Sequence, residues 1–597
     1  MVNEKERYVI HMKDQWSLEA LYHGYEDPKF LEDLNRLETV GDLMNDLSNR
    51  LTEIEEKDAV SQILDLMEEL MLLQEKLDVY CSLVQSACTT DSQSASYLGQ
   101  INQKLSNTAK PITIFHKYLA KVENISKYAA MDERVKAYDY LLKNLKEDSK
   151  HLLNDDVEEV IAKMSITGAN AWSELQSYLT SIVKVDYEQT SVTLSEIRNK
   201  AYDADAGVRK AAYEAELACY EKIKDAVCYS LNSIKSQVIT ISQLRGYESP
   251  LAEVLHKSHM KKETLDALMT AIKEYLPKFH EYMRRKAKML GSSDGLAWYD
   301  LFAPIGKSSR TFTKIEAKEY LLKHFNTFAP DLAQMVERAF DEEWIDFYPR
   351  EGKVGGAFCC NIQSLKQSRI LTNFDGSLSD VVTLAHELGH AYHNQNIHEH
   401  RILNNDYSMP VAETASTFNE NVIMNAAINE AEGMERMALI EGQLQDLNQI
   451  ICDIYSRFLF ESKVFEKRSN SFMFADSLCE IMTEAQKEAY GDGLNPNYRH
   501  PYMWVCKGHY YSGTLSFYNF PYAFGGLFAR GLYAKYQEEG EAFLPKYKAL
   551  LHATPVSDVE EVAGYAGIDL TDVNFWRNTL ETIAKQIDEF IELSKLY

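Results

Sequence analysis

Cysteine is scarce in this chain, and its spacing is not that of a disulfide framework. Only 9 of the 597 residues are cysteine, an odd number that cannot all pair within one chain. No two of them have the CxxC spacing of a redox or metal motif, and the neighbours Cys359 and Cys360 are adjacent residues, which seldom bridge each other. We therefore expect reduced thiols and a cytoplasmic location.

Long apolar segments are missing as well. No run of eighteen apolar residues occurs, so the sequence predicts no transmembrane helix. The first residues, MVNEKERYVIHMKDQW, lack the apolar centre of a secretory signal. We expect a globular protein without a membrane partner.

Basic residues are outnumbered by acidic ones. Lys and Arg total 63, Asp and Glu total 90, and the formal net charge is −27 at pH 7. Binding to phosphate backbones needs clustered Lys and Arg. The composition therefore argues against a nucleic-acid partner, and it leaves the oligomeric state open.

Proline and glycine are also few, with 13 and 26 residues, which suits a mostly helical chain. Apolar residues recur three and four positions apart from residue 63 to residue 77, which is the spacing of an amphipathic helix. The same spacing returns at 136–148, 207–245, 262–290, 439–467 and 574–596. The sequence thus predicts a mainly α fold.

The length of the chain predicts more than one domain. A single hydrophobic core stops growing well below 597 residues, so at least two lobes are expected. The pattern changes softly near 186–200. We place an N-terminal helical region at 1–200 and a second domain at 201–597.

A short strand-forming segment interrupts the helical pattern. The stretch 354-VGGAFCCNIQSLKQSRILTNFDGS-377 has Gly-Gly before a short apolar run and the turn signal Asp-Gly-Ser after it. This predicts a small β-sheet immediately before the segment that carries the chemistry.

That segment is 383-TLAHELGHAYHNQ-395, which contains three of the 16 histidines. In a helix, His386 and His390 lie one turn apart on the same face, so both imidazoles can reach one zinc ion. Glu387 is about 100° further round the helix and points beside the metal. A carboxylate there suits a general base acting on metal-activated water. The HExxH spacing therefore predicts a zinc site with a base next to it.

A third ligand is needed, and the metzincin pattern does not supply it, since positions 393 and 396 are His and Asn. After a polar loop, Pro410 indicates a helix start. Glu413 would lie in the first turn of that helix, with Glu420 two turns later on the same side. We expect Glu413 to be the third ligand and Glu420 to hydrogen-bond a ligating imidazole.

Other histidines near the motif are also candidates for a role at the metal site. His393 lies on a neighbouring face of the same helix and stays open as an alternative third ligand, although three ligands from one helix would require strain. His398, Glu399 and His400 follow in the loop and are expected to form a solvated cluster.

Gly389 lowers helix stability by about 1 kcal/mol relative to Ala, so we expect another backbone to pass close to it.

Several segments resemble oligoendopeptidase F, a bacterial member of the thimet-oligopeptidase-like zinc metallopeptidases. They are TLAHELGHAYH, the following PVAETASTFNE, LKNLKEDSKHLLNDDVEEVIAKMSITGANAW at 143–173 and IRNKAYDADAGVRKAAYEA at 197–215. The resemblance implies a helical body of two lobes with a deep channel and one zinc ion at its floor. It implies His386, His390 and Glu413 as ligands and Glu387 as the base, within a zinc peptidase domain at 201–597.

The resemblance also implies a His and Tyr cluster, which here falls in 508-GHYYSGTLSFYNFPYAFGG-526. Hydrolysis of a peptide creates an oxyanion that imidazole and phenol donors can stabilise. We expect His509 to be such a donor, followed by Tyr518 and Tyr522. For each tyrosine a purely structural place in the core is equally consistent with the sequence.

These features together predict a zinc metalloendopeptidase that hydrolyses internal bonds of short unstructured oligopeptides. One alternative is a zinc carboxypeptidase or dipeptidyl carboxypeptidase on a related helical body. A second is a helical peptide-binding or scaffold protein whose histidine motif is inactive.

Overall fold

The computed structural model describes residues 13–306 and 310–597, and helices dominate both ranges. The mainly α prediction is confirmed. Within these ranges, no helix combines the length and the apolar character needed to cross a membrane. The expected arrangement of two lobes around a deep channel stays a prediction.

The first described range holds a succession of helices with short connections. They are Pro28–Arg50, Glu56–Ala87, Ser92–Ser106, Ala109–Lys121, Ile125–Ala129, Glu133–Ala137, Asp139–Ser149, Asp155–Ser165, Ala171–Ile182, Leu194–Asn199, Ala206–Tyr220, Lys224–Leu244, Pro250–Lys257 and Lys262–Met289.

The second described range continues in the same way. Its helices are Lys314–Phe328, Pro330–Asp341, Leu378–Ile397, Met409–Ala412, Thr414–Glu430, Gly433–Asn448, Ile454–Arg468, Ala475–Tyr490, Met503–Cys506, Phe520–Glu539, Leu544–Ala553, Val559–Gly564 and Val573–Ser594. We call Leu378–Ile397 the histidine helix and Thr414–Glu430 the glutamate helix.

Two compact units emerge from the packing, and each is assembled from separate parts of the chain. The first unit comprises the described parts of 1–150, 310–424 and 535–566. The second comprises the described parts of 151–309, 425–534 and 567–597. The domain boundary near residue 200 stays a prediction.

The sheet expected before the histidine helix is present in the first unit. Its strands are β3 (Ile345–Asp346), β4 (Phe358–Ile362) and β5 (Gln367–Leu371), in the order β3-β5-β4. Both β4 and β5 pack on the histidine helix. Ile362 and Leu371 connect the sheet to the apolar core that the first 150 residues contribute.

A second sheet in the other unit was missed by the sequence analysis. It is a hairpin of β1 (Lys184–Tyr187) and β2 (Thr190–Thr193), paired antiparallel. Glu188 and Gln189 form its turn with positive φ values of 45° and 66°. Asn-Gly and Asp-Gly are the usual signals for such a turn, so Glu-Gln gave no sign of it.

The histidine helix begins with two reciprocal hydrogen bonds. Ser377 Oγ accepts from the backbone N–H of Asp380 at 3.1 Å, and the Asp380 carboxylate accepts from the N–H of Ser377 at 3.2 Å. This capping box satisfies donors that the first turn would otherwise leave unpaired. It fixes the start of the helix that carries His386 and His390.

The histidine helix and the glutamate helix approach each other closely at Gly389. A Cβ at this position would lie 2.5 Å from Ala415 O, 2.5 Å from Ser416 Cα and 2.7 Å from Ser416 N. These are backbone atoms that cannot turn away. The expectation of a close backbone next to Gly389 is confirmed.

Replacing Gly389 by Ala should lower the free energy of unfolding by about 1–3 kcal/mol, because the new methyl forces the two helices apart. Chemical denaturation of wild type and variant measures the change. Gly442→Ala is the matched control, since it is also helical and its Cβ would meet nothing within 4 Å. It should raise stability by about 0.5–1 kcal/mol. Equal stabilisation by both substitutions would contradict this account of Gly389.

Candidate metal centre

Three predicted ligands come together in the first unit. His386 and His390 project from the histidine helix, and Glu413 lies between the short helix Met409–Ala412 and the glutamate helix. The two Nε2 atoms are 3.2 Å apart, and Glu413 Oε2 is 3.3 Å from each of them. Within the described ranges, this is the only group of three or more His, Cys, Asp or Glu side chains able to hold one ion.

The nearly equilateral triangle of donor atoms can be tested against a zinc site. In a tetrahedron the edge is about 1.6 times the distance from the centre to a corner. Edges of 3.2 and 3.3 Å therefore place a central ion about 2.0 Å from each donor, which is the usual Zn–N and Zn–O distance. Two imidazoles, one carboxylate and an open fourth corner also form a donor set typical of catalytic zinc.

Charges within this group are arranged for a cation. Burial raises the pKa of Glu413, but hydrogen bonds with His386 and His390 outweigh it and hold the pKa well below its usual range. Burial lowers the pKa of His386, whereas Glu413 and Glu420 raise it, with a result of about 10. The carboxylates thus favour a positive charge at this position, which either a proton or a metal ion can supply.

Two further side chains hold the ligands in place. Glu420 Oε1 accepts a hydrogen bond from His386 Nδ1 at 2.6 Å, which leaves Nε2 free to face the triangle. Ser416 Oγ donates to Glu413 Oε2 at 2.7 Å. Glu420 was predicted from its helical spacing, whereas Ser416 was not; the one sequence signal for Ser416 is its position three residues after Glu413.

Glu387 follows the first histidine and is 6% exposed. No side chain within the described ranges donates a hydrogen bond to its carboxylate. Burial raises its pKa, while the imidazoles of His386 and His390 act in the opposite direction. A carboxylate with free acceptor oxygens and a raised pKa can take up a proton readily.

His393, the alternative third ligand, does not join the triangle. It is fully buried, its Nε2 donates to Thr554 Oγ1 at 2.8 Å, and its ring stacks on Tyr407 at 4.3 Å. Burial lowers its pKa to about 3, so the ring is neutral. The structure gives His393 a packing role that the sequence could not distinguish from ligation.

The histidines of the following loop also lie apart from the triangle. His400 Nε2 donates to the backbone oxygen of His552 at 2.7 Å, and the two rings stack at 4.1 Å. Glu399 is exposed and His398 is half-buried. Of the residues expected to form a solvated cluster, Glu399 is exposed to solvent, whereas His400 packs against His552.

His509, Tyr518 and Tyr522 belong to the second unit. His509 lies in the turn Gly508–Tyr511, and its Nε2 is buried with no hydrogen-bond partner among the described residues. Burial, followed by the charges of Arg457 and Lys507, lowers its pKa to about 3. A neutral imidazole keeps one N–H to donate.

The two tyrosines lie close to each other. Their rings pack edge to face with centroids 5.4 Å apart. Tyr522 is 47% exposed, so this side chain is not part of the core. The role of oxyanion donor stays a prediction for His509 and for both tyrosines.

The site has the features of a metallopeptidase: an HExxH helix in a helical fold, with a carboxylate beside its two imidazoles. A sequence profile described as Peptidase family M3 matches residues 200–582, and one described as Oligopeptidase F matches residues 121–184. The chain belongs to peptidase family M3 and is a metallopeptidase.

Named relatives resemble the chain along nearly its whole length. An oligoendopeptidase F homolog of Lactococcus lactis subsp. lactis is 24% identical over 610 residues, which cover 99% of this chain and 98% of the relative. Oligopeptidase PepF of Bacillus subtilis is 23% identical, with coverage of 98% and 88%. The resemblance to oligoendopeptidase F is confirmed.

Solved structures share the fold. A Chlamydophila abortus protein described as a candidate peptidase has a TM-score of 0.84 and 18% identity, with 97% of this chain and 98% of that chain covered. The oligoendopeptidase-F of Enterococcus faecium has a TM-score of 0.70 and 18% identity, with coverage of 95% and 99%. At this identity the similarity shows the fold alone.

Replacing Glu420 by Gln should weaken metal binding roughly 10- to 100-fold, because His386 would lose the charged acceptor that orients its ring. Titration of the metal-free protein with zinc against a competing chelator measures the dissociation constant. Glu430→Gln, at the far end of the same helix, is the control and should leave the constant unchanged. An unaltered affinity in the Glu420 variant would contradict the orienting role.

Proposed function

We propose that the chain is a zinc endopeptidase that hydrolyses internal bonds of short, unstructured oligopeptides. The observation that carries this proposal is the 3.2–3.3 Å triangle of His386, His390 and Glu413 beside the carboxylate of Glu387. Membership of peptidase family M3 and relatives named oligoendopeptidase F support the same class of reaction.

Zinc is the proposed metal, with one ion per chain. His386, His390 and Glu413 would hold it, and Glu420 and Ser416 would keep their donor atoms in place. A zinc ion bound there would act as a Lewis acid on a peptide carbonyl and on a water molecule. Two nitrogen ligands and one oxygen ligand favour zinc over magnesium or calcium, which prefer oxygen.

Glu387 is the proposed general base. Its oxygens are free to accept the proton of the attacking water, and its raised pKa allows it to keep that proton until the leaving amine takes it. A zinc ion held by the two imidazoles would oppose this rise, because a nearby cation favours the ionised carboxylate. One side chain can therefore serve as base and then as acid.

His509, Tyr518 and Tyr522 are the proposed donors to the oxyanion. The neutral ring of His509 retains one N–H, and its lowered pKa means that it does so throughout the neutral pH range. Such donors stabilise the transition state when they are aimed at the developing charge. The proposal for the two tyrosines rests on their position in the segment 508–526, where the resemblance to oligoendopeptidase F implies a His and Tyr cluster.

Replacing Glu387 by Gln should reduce kcat about 10²- to 10⁴-fold, because proton transfer is lost while the ligands remain. Cleavage of an internally quenched peptide blocked at both ends measures the rate, and metal analysis should still find one zinc ion per chain. Glu399→Gln is the control, because Glu399 is an exposed loop residue. Its kcat should equal that of the wild type.

Two results would contradict this proposal. Cleavage at the wild-type rate by the Glu387 variant would remove its role as the base. Hydrolysis by wild type only of peptides with a free C-terminus would replace the endopeptidase by a carboxypeptidase or dipeptidyl carboxypeptidase.

A further inference from the structure

A cavity of about 710 Å³ lies within the second unit. Its walls come from the helices Ala171–Ile182, Leu194–Asn199 and Ala206–Tyr220 and from side chains in 298–302, 446–453 and 500–507. Pockets for small molecules typically measure roughly 300–1,000 Å³. None of the predicted metal-binding or catalytic residues lines this cavity, so it is distinct from the candidate metal centre.

Two cationic side chains, Arg198 and Lys507, line this space, and among the residues that the structure describes only Arg198 of the two has a carboxylate partner. Arg198 Nε is 3.3 Å from Glu216 Oε1, and 34% of the Arg198 side chain is exposed. Lys507 makes no ion pair with any residue in the described parts of the chain. Burial lowers the pKa of Lys507, and the positive charge of Arg457 lowers it further. Like charges held together out of bulk water favour a negative partner.

Carboxylates near these cations are already engaged by other groups. Glu216 accepts from Tyr220 Oη at 2.8 Å and lies 3.3 Å from His500 Nε2 in addition to its contact with Arg198. Asp453 accepts a hydrogen bond from Arg457. The positive charge of Lys507 is therefore not balanced by a carboxylate of its own.

Arg209 and Asp446 also line the cavity, and Asp446 adds a negative charge to its wall. Arg209 is bonded to Asp300 through Nε at 3.0 Å and Nη2 at 2.7 Å, so its charge is neutralised. Asp446 lies near Tyr202, whose pKa is raised by burial and then by the Asp446 charge. The unbalanced cation is at the Lys507 side of the wall.

Aromatic rings form the rest of the wall. Tyr202 and Phe302 pack with ring centroids 4.9 Å apart, and Tyr213 and Tyr299 pack at 5.6 Å. Such surfaces bind an apolar or aromatic body. The cavity therefore combines a cationic end with an aromatic side.

We propose that this cavity is a binding site for a small organic carboxylate. Lys507 and Arg198 hold the carboxylate group, and the aromatic side chains hold an apolar or aromatic body. Arginine and lysine form strong, charge-assisted hydrogen bonds with carboxylates. The carboxylate site itself needs no metal, and Lys507 is also one of the charges that lower the pKa of His509.

The test compares 3-phenylpropionate with its uncharged amide by isothermal titration calorimetry of the zinc-loaded protein. The acid should bind at least about tenfold more tightly than the amide, because only the acid forms charge-assisted bonds. Lys507→Met should abolish this preference and Lys507→Arg should preserve it. Lys210→Met, at an exposed lysine of the helix Ala206–Tyr220, should have no effect.

A carboxylate can also bind a metal ion, so His386→Ala is included to separate the two sites. Binding that is lost in the His386 variant and unchanged in Lys507→Met would place the ligand at the metal centre and overturn the proposal. Equal affinities for acid and amide would also overturn it. Binding of inorganic phosphate without binding of 3-phenylpropionate would exclude the organic carboxylate class.

Discussion

The close contact between two helix backbones at Gly389 positions the side chains of the candidate metal centre. With no Cβ at this residue, Ala415 and Ser416 can lie against the histidine helix. That closeness brings Glu413 to 3.3 Å from both imidazole nitrogens and lets Glu420 reach the back of His386 at 2.6 Å. A side chain at 389 would move the carboxylate ligand and the orienting carboxylate together. The HExxH motif alone fixes two donors, and this contact fixes the third.

Electrostatics explain why these carboxylates can share a partly buried site. Glu413, Glu420 and Glu387 surround two imidazoles, and burial by itself would raise the pKa of both Glu387 and Glu413. A cation at the centre of the triangle relieves the repulsion among them, and it does so most strongly for Glu413. Glu387 stays outside the triangle with free acceptor oxygens. The proposed function therefore assigns metal binding to Glu413 and proton transfer to Glu387.

The sequence predicted those parts of the protein that depend on local spacing. Helical periodicity gave the fold class, and the four-residue spacing of His386 and His390 gave the shared face. The helix start near Pro410 led to Glu413 and Glu420, but the prediction that Glu413 lies inside the first turn of one helix was wrong, since it falls between Met409–Ala412 and Thr414–Glu430. The hairpin with the Glu188–Gln189 turn was not predicted, because this turn lacks the usual Asn-Gly or Asp-Gly signal. His393 stayed ambiguous, since its partner Thr554 is 161 residues away. The cations that lower the pKa of His509 likewise meet it only through tertiary packing.

The central claim is that His386, His390 and Glu413 together hold one divalent cation. Anomalous scattering from crystals, recorded on both sides of the zinc absorption edge, tests it most directly. The account predicts a single strong peak about 2.0–2.1 Å from His386 Nε2, His390 Nε2 and a Glu413 oxygen. A zinc-loaded crystal with no peak there, or with a peak bound by His393 in place of Glu413, would contradict it.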